Sequence, residues 1–147
     1  MAVKSSVMAF AKRAASELYR IDAVLLNAGI DTNVFELAEG NESTVTVDVV
    51  STSLLAVAVL PKLRETASRH SVQPRLAVLG SSIHIFAPDG QLTGAPEGKI
   101  FATLNDGHTA AMASRYFLSK LMVSLCLREL AGQVDSRDIV VNCVNPG

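Results

Sequence analysis

Three short apolar runs divide this chain, at residues 21–26, 75–80 and 139–144, and a segment with helical features precedes each of them. Each run is followed by a turn-forming sequence, which is typical of a buried strand. Helices and strands that alternate through right-handed crossovers form a parallel sheet, here expected to be covered on both faces. The order predicts an α/β domain with about three strands, half of the roughly six in a complete doubly wound sheet. We therefore expect one incomplete domain over residues 1–147.

The first two helices are predicted from different signals. Apolar residues from Val7 to Leu18 recur at intervals of three and four, which is the spacing of an amphipathic helix. A second helix is expected from a cap at Asn41 or Ser43 to Leu63, because the segment is too long for a strand despite its many Val and Thr residues.

A long loop and a third helix are expected between the second and third strands. The Gly- and Pro-rich segment from Ser82 to Asp106 predicts a loop with a lid or binding role. Asp106 or Thr109 can open the helix that follows, which runs to about Leu130 and is terminated by Gly132.

Polar or turn-forming residues follow each predicted strand. Asn27 follows the first strand, Ser81 the second, and Asn145-Pro146-Gly147 the third. In an open parallel sheet the ligand crevice lies outside the carboxyl ends of the strands. We therefore expect these three places to gather along one edge of the sheet and to form a site.

Tyr116 and Lys120 lie four residues apart and share one face of the third helix. A phenol has an ordinary pKa near ~10, and a nearby ammonium lowers it. The Ser81 hydroxyl can orient a carbonyl or alcohol oxygen toward the phenol for acid/base chemistry. Each feature alone is more often structural: a surface Lys beside a half-buried Tyr, a strand-ending hydroxyl, a common turn. Together they favour a catalytic site, with hydride supplied by a cofactor because no side chain supplies one.

Four landmarks resemble those of the short-chain dehydrogenase/reductase family. They are Leu26-Asn27-Ala28-Gly29, Leu79-Gly80-Ser81-Ser82-Ile83-His84, Tyr116-x-x-x-Lys120 and Val141-Asn142-Cys143-Val144-Asn145-Pro146-Gly147. The resemblance spans essentially the whole chain, and the stretch Ser114-Arg115-Tyr116 looks most like fungal members, many of which serve secondary-metabolite pathways. It implies a partial Rossmann-like fold and an oxidoreductase that acts on a ketone or secondary alcohol with NAD(P)(H).

The resemblance also implies roles for individual residues. Tyr116 would be the general acid/base, Lys120 would lower its pKa and hold the nicotinamide ribose, and Ser81 would orient the substrate, with Ser82 as an alternative. His84 has no role in the family pattern and is expected to be structural. The cofactor would be NADP(H) or NAD(H), with NADP slightly favoured. The expected cofactor-binding residues are Asn27, Ala28, Gly29, Tyr116, Lys120, Pro146 and Gly147.

The sequence departs from the family pattern in two places. No Gly-x-x-x-Gly-x-Gly turn occurs, since Gly90, Gly94 and Gly98 recur every four residues within the loop and open no helix after a strand. The usual pyrophosphate seat at a helix N-terminus is therefore missing. In addition, Asp48 occupies the position of a usual Asn in the middle helix. An ionised carboxylate there would offset Lys120 and raise the pKa of Tyr116.

These departures favour a second hypothesis, in which the chain is a catalytically silent remnant or an interaction module. Relative to the family it is expected to be truncated at both ends, so the segment that covers nicotinamide and substrate would be absent. The first strand would then present an unpaired apolar edge. Pairing of this edge, or of the helices around residues 45–63 and 110–130, with a second or a related chain is the corresponding expectation.

The composition indicates which class of ligand and which cellular compartment to expect. A formal net charge of -1 without blocks of like charge argues against nucleic acid and favours a small molecule. Cys126 and Cys143 lie in apolar segments without metal-ligand spacing, so we expect both to be buried, no metal site, and a reducing compartment. The N-terminus lacks the apolar core of a signal peptide, and the run from Val45 to Leu63 contains Asp48 and Pro61. That run suits a buried helix better than a membrane span, which predicts a cytoplasmic protein without a membrane partner.

Overall fold

A computed structural model describes residues 4–146, and the statements below concern these residues. The regular elements in chain order are α1 (Lys4–Glu17), β1 (Ala23–Leu26), β2 (Leu37–Ala38), β3 (Asn41–Glu42), α2 (Thr52–His70), β4 (Arg75–Leu79), α3 (Gly90–Thr93), α4 (Ile100–Leu104), α5 (Arg115–Gly132) and β5 (Val140–Val144). A π-helical segment (Val45–Ser51) leads into α2, and two short 3₁₀-helices (Ser82–Phe86 and Met112–Ser114) lie between β4 and α5.

The three predicted strands form one parallel sheet in the order β1-β4-β5. Leu26 of β1 pairs with Val78 of β4, which in turn pairs with Cys143 of β5. The predicted fold class, half of a Rossmann-like sheet with flanking helices, is therefore confirmed. A two-residue antiparallel hairpin, β2-β3, was not expected.

One face of the sheet carries the core and the other is largely open. Leu76 and Val78 are buried and pack in one cluster with residues of α1, α2 and α5, whereas Leu25 is 60% and Val144 40% exposed. Successive side chains of a strand point to opposite faces, so these exposed residues mark the uncovered face. Each strand is added on the same side of the previous one, and right-handed crossovers then place their helices on the same face. The expectation of cover on both faces is therefore wrong for the described residues.

The segment Val45–His70 is long and apolar enough to cross a membrane by length and composition alone. More than half of its most apolar window is buried within the fold, as is common for a core helix. The helix extends beyond the predicted end at Leu63, through Pro61, to His70. Leu60, Leu63 and Thr66 are buried on both sides of the proline, so tertiary packing maintains the helix.

Glu42 caps the start of this helix in place of the predicted Asn41 or Ser43. Its carboxylate accepts hydrogen bonds from the backbone N–H groups of Thr44 and Val45 at 2.8 and 3.2 Å. Glu42 itself is fully buried. A carboxylate at a helix N-terminus accepts hydrogen bonds from free N–H groups and interacts favourably with the positive end of the helix dipole.

The predicted start of α5 at Asp106 or Thr109 is also wrong. Asp106 accepts hydrogen bonds from the His108 N–H and the Thr109 hydroxyl, at 2.9 and 3.1 Å, and thereby forms a local turn. The helix begins at Arg115 instead, and it ends at Gly132. The predicted loop after Ser82 contains the short helices α3 and α4.

Both cysteines are exposed, contrary to prediction. Cys143 lies on β5, the outer strand of the described sheet, where β4 is its partner. Cys126 lies on α5, whose buried face is formed by other residues, including Val123 and Leu127. A Cβ atom at Gly80 would approach the Cys143 Sγ to 2.6 Å. A larger residue at position 80 would therefore require the Cys143 side chain to move.

Candidate active site

An open cleft of about 440 Å³ lies at the carboxyl edge of the sheet. The ends of all three strands and the first turns of α5 contribute to it, as expected for a parallel sheet. It is lined by Asn27, Gly29, Ile30, Asp31, Leu79, Gly80, Ser81, Tyr116, Lys120, Asn145 and Pro146. Two predicted site residues are not placed there: Ala28 lines a neighbouring apolar groove, and Gly147 lies outside the described residues.

Tyr116 and Lys120 lie in the cleft on the N-terminal turns of α5. The Lys120 Nζ is 5.4 Å from the centroid of the Tyr116 ring. It donates a hydrogen bond to the Leu79 carbonyl oxygen at 3.0 Å, and the residue is 5% exposed. The ammonium group is therefore anchored at the end of β4 and held close to the phenol.

The pKa of Tyr116 is nevertheless raised above its ordinary value. Burial of the ring is the main cause, and the negative charges of Asp48 and Asp31 add to it. This direction is opposite to the one expected from Lys120 alone. It agrees with the predicted effect of a carboxylate at position 48.

Ser81 lies at the end of β4 with an extended backbone (φ -161°, ψ 142°) and caps the following 3₁₀-helix. Its hydroxyl accepts a hydrogen bond from the Ile83 N–H at 3.4 Å, and its carbonyl oxygen contacts the His84 Nδ1. Of the two serines, Ser81 lines the cleft, and Ser82 begins the 3₁₀-helix that leads out of it. His84 thus has a structural contact, in keeping with its expected role.

Asp48 lies beneath the cleft and is 1% exposed. Its Oδ1 accepts a hydrogen bond from the Ile30 N–H at 2.8 Å, and its Oδ2 lies 2.8 Å from the Ser119 Oγ. Burial raises the pKa of the carboxyl group, while the hydrogen bonds from the Ile30 N–H and the Ser119 hydroxyl and the charge of Lys120 act in the opposite direction. A Cβ atom at Gly29 would lie 3.3 Å from the Asp48 Oδ1 and 3.5 Å from the Lys120 Nζ. Glycine at position 29 therefore lets the chain pass close to both groups.

Glu42 and Arg115 form a fully buried ion pair next to the site, with 3.5 Å between the Glu42 Oε2 and the Arg115 Nε. The Arg115 Nη2 also donates to the Leu104 carbonyl oxygen at 3.1 Å. Burial lowers the pKa of Arg115, and the charge of Glu42 opposes this effect. Because Arg115 directly precedes Tyr116, this pair fixes the start of α5 where the phenol is attached.

The sequence did not indicate three of these residues: Ser119, Glu42 and Arg115. Ser119 could have been found from its spacing, because a residue three positions after Tyr116 lies on the same helix face. Glu42 and Arg115 are distant in sequence, and no local pattern connects them.

The half sheet and the site at its edge define a partial Rossmann-like α/β domain. No family model matches the chain. The short chain dehydrogenase/reductase dmxR8 of Cryptosporiopsis sp. is 41% identical over 151 aligned residues, which cover the whole chain and 46% of the relative. The short-chain dehydrogenase anuD of Penicillium roqueforti is 42% identical, over the whole chain and 39% of the relative. The chain therefore belongs to the short-chain dehydrogenase/reductase family, resembles fungal members, and spans less than half the length of these two relatives.

Solved structures show the same fold. A putative short chain dehydrogenase from Shigella flexneri, complexed with NADP, matches with a TM-score of 0.64 and 23% identity, over the whole chain and 52% of that structure. The NADH-dependent reductase A1-R', complexed with NAD, matches with a TM-score of 0.70 and 15% identity, over 99% of the chain and 53% of that structure. At these identities the likeness concerns the fold alone.

Proposed function

We propose that this chain carries the catalytic half of a nicotinamide-dependent oxidoreductase that interconverts a ketone and a secondary alcohol. The observation that carries the proposal is the placement of Tyr116, Lys120 and Ser81 in one cleft, with the ammonium anchored beside the phenol. An acid/base group, a fixed cation and an orienting hydroxyl are the parts that proton transfer at a carbinol oxygen requires.

In this proposal each of the three side chains has a separate task. The Tyr116 hydroxyl gives a proton to the carbonyl oxygen during reduction and takes it back during oxidation. Lys120 stabilises the phenolate form by its charge, against the opposing effects of burial and of Asp48 on the pKa. Ser81 donates a hydrogen bond to the substrate oxygen and so places it against the phenol.

The described residues fit one end of a nicotinamide dinucleotide. Lys120 and Asn27 offer polar groups for the ribose, and Pro146 lies on the same cleft wall. A bound nicotinamide cofactor would supply the hydride. The pyrophosphate end has no matching seat in residues 4–146, because no glycine-rich strand-to-helix turn occurs there. Gly90 begins the four-residue helix α3, which follows a 3₁₀-helix and not a strand. Preference for NADP(H) over NAD(H) stays a prediction.

Cofactor binding tests the proposal directly. We expect calorimetry to show saturable binding of NADPH or NADH to the purified chain. The binding should be weak, because residues 4–146 contain no seat for the pyrophosphate end of the cofactor. Lys120→Met should weaken this binding about tenfold or more, since it removes a charged hydrogen-bond donor. Lys12→Met is the matched control, because Lys12 is exposed on α1. Absence of saturable binding at millimolar cofactor would contradict an enzyme that works alone.

The setting of this activity is proposed on the family relationship. Similar dehydrogenases from fungi support a small-molecule substrate in a biosynthetic, secondary-metabolite pathway. A cytoplasmic location is proposed on composition alone.

A second candidate function, as an interaction module, is favoured by an apolar groove of about 460 Å³ beside β1. Phe10, Leu18 and Leu25 near this groove are 53%, 50% and 60% exposed. Within residues 4–146, β1 pairs with β4 on one side and is open on the other. An exposed apolar patch at an unpaired edge is a typical site of association.

Sedimentation at increasing concentration tests this second function. We expect self-association that Leu25→Lys reduces, because the charge would lie in the buried interface. Val57→Lys serves as the comparison, since Val57 is similarly exposed (55%) but lies on α2. Loss of association with Val57→Lys alone would mean that the interface is formed by the helices. A strictly monomeric chain would count against the interaction module.

A further inference from the structure

The Ser119 hydroxyl has two close oxygen neighbours. Its Oγ lies 2.8 Å from the Asp48 Oδ2 and 2.8 Å from the Tyr116 carbonyl oxygen. A hydroxyl carries one proton and can donate one hydrogen bond at a time. If Asp48 is ionised, both neighbours are acceptors, and one of the two short contacts then has no proton between its oxygens.

The other carboxylate oxygen cannot relieve this conflict. The Asp48 Oδ1 is occupied by the Ile30 N–H at 2.8 Å and therefore acts as an acceptor. Both Asp48 and Ser119 are almost completely buried, at 1% and 0% exposure. The proton between the Asp48 Oδ2 and the Ser119 Oγ therefore belongs to one of these two side chains. If it belongs to Ser119, no proton is left for the contact between the Ser119 Oγ and the Tyr116 carbonyl oxygen.

We propose that Asp48 is a neutral carboxylic acid at neutral pH, whose Oδ2–H donates to Ser119 while the Ser119 hydroxyl donates to the Tyr116 carbonyl oxygen. This arrangement satisfies all three short contacts with one proton each. It makes Asp48 a positioning residue, which reaches the turn carrying Tyr116 through Ser119. Whether Asp48 is protonated does not depend on the proposed function. The role of a neutral Asp48 in acid/base chemistry does rest on that function.

The charged groups that face Asp48 act in both directions. Burial disfavours a carboxylate at this position, and the buried Glu42 adds repulsion. The Ile30 N–H, a hydrogen bond donated by Ser119 and the charge of Lys120 favour the ionised form. The hydrogen bond found for the Lys120 Nζ goes to the Leu79 carbonyl oxygen. Tyr116 and Asp31 border the same cleft. A neutral Asp48 leaves the Lys120 cation uncompensated by this carboxyl group, so Lys120 can favour the phenolate of Tyr116.

Carbon-13 NMR of the aspartate carboxyl groups across pH tests the proposal on the whole chain. The signal of Asp48 is assigned by its loss in Asp48→Asn, a variant that keeps an acceptor for Ile30 and a donor for Ser119. We expect Asp48 to titrate above neutral pH, because a carboxyl group that is neutral at neutral pH must do so. Asp135 serves as the internal control, since its hydrogen bonds with Arg137 lower its pKa to about 2.

The unmodified chain decides the direction of the hydrogen bond, because the Ser119 hydroxyl accepts from a neutral Asp48 and donates to an ionised one. A midpoint above neutral pH means that Asp48 is the donor at neutral pH. A midpoint below neutral pH would overturn the proposal, and this result needs no variant.

Ultraviolet absorption of the phenolate reports the connection to Tyr116. The chain has two tyrosines and no tryptophan, so Tyr19→Phe leaves Tyr116 as the one absorbing phenol. In that background Asp48→Asn should lower the Tyr116 titration midpoint, because no carboxylate then forms at alkaline pH. An unchanged midpoint would show that position 48 does not act on Tyr116. Neither readout uses turnover, so a failed cofactor titration would leave both results interpretable.

Discussion

Replacement of Tyr116 by Phe is expected to reduce NAD(P)H-dependent turnover by about 10²–10⁴-fold, which is the contribution typical of a positioned general acid/base. The ring and its contact with Lys120 are retained, so what is lost is the proton carrier. Turnover is measured from the absorbance of the reduced nicotinamide with a panel of ketones and secondary alcohols. The unfolding midpoint and the dinucleotide affinity should stay nearly constant.

Tyr19→Phe is the matched control for this experiment. Tyr19 is the other tyrosine of the chain and is 79% exposed, so its hydroxyl has no buried role to lose. Equal turnover of Tyr116→Phe and the unmodified chain would remove Tyr116 from the proposed chemistry. A chain that binds cofactor but turns over none of the panel would favour the silent-remnant hypothesis.

Replacement of Glu42 by Ala is expected to lower the free energy of unfolding by about 3–5 kcal/mol, the usual cost of removing one partner of a buried ion pair. Arg115 would be left charged and buried, and its Nε and Nη1 already have no hydrogen-bond partner within the described residues. Loss of the cap at Thr44 and Val45 contributes about 1 kcal/mol within that total. Because domains are stable by only about 5–15 kcal/mol, this change should bring the chain close to unfolding.

Urea denaturation followed by circular dichroism measures this loss. Glu17→Ala serves as the control, because Glu17 forms an exposed pair with Arg13, and such pairs contribute less than about 1 kcal/mol. Combining Glu42→Gln with Arg115→Met should cost less than the sum of the two single changes, since no unpaired charge remains. Additive losses would mean that the two side chains do not stabilise each other.

The sheet was predictable because its signals are local and strong. The apolar runs that end at Leu26, Gly80 and Val144 identify three strands, and the crossover rule makes them parallel. The boundaries of helices and strands depend on contacts between residues that are distant in sequence. The start of α5 at Arg115 follows from its buried pairing with Glu42, while Asp106 has the composition of a cap but closes a turn.

The hairpin β2-β3 was missed because two-residue strands give no periodic pattern. Its turn is formed by Glu39 and Gly40, both with positive φ (54° and 86°), as in a type I′ turn. Asparagine or aspartate before glycine is the strong sequence signal for such a turn, and Glu39 lacks it.

Within the site, the grouping of Ser81, Tyr116 and Lys120 could be predicted from strand ends and helix spacing. The electrostatics could not, because the pKa of Tyr116 depends on how deeply the ring and Asp48 are buried. Sequence identifies which charges are available but not how much water each one keeps. The direction in which the pKa of Tyr116 is shifted could therefore be obtained only from the structure.

The segment between β4 and α5 has unequal constraints along its length. Leu104 is the one buried residue between positions 82 and 114, and Asn105 ties the segment to the hairpin by donating to the Gly40 carbonyl oxygen at 2.9 Å and accepting from the Glu42 N–H at 2.8 Å. The remainder is exposed or half-buried and carries little of the packing energy. Mutations there can accumulate at small cost to folding, while the residues that line the cleft lie outside positions 82–114, near the strand ends and on α5.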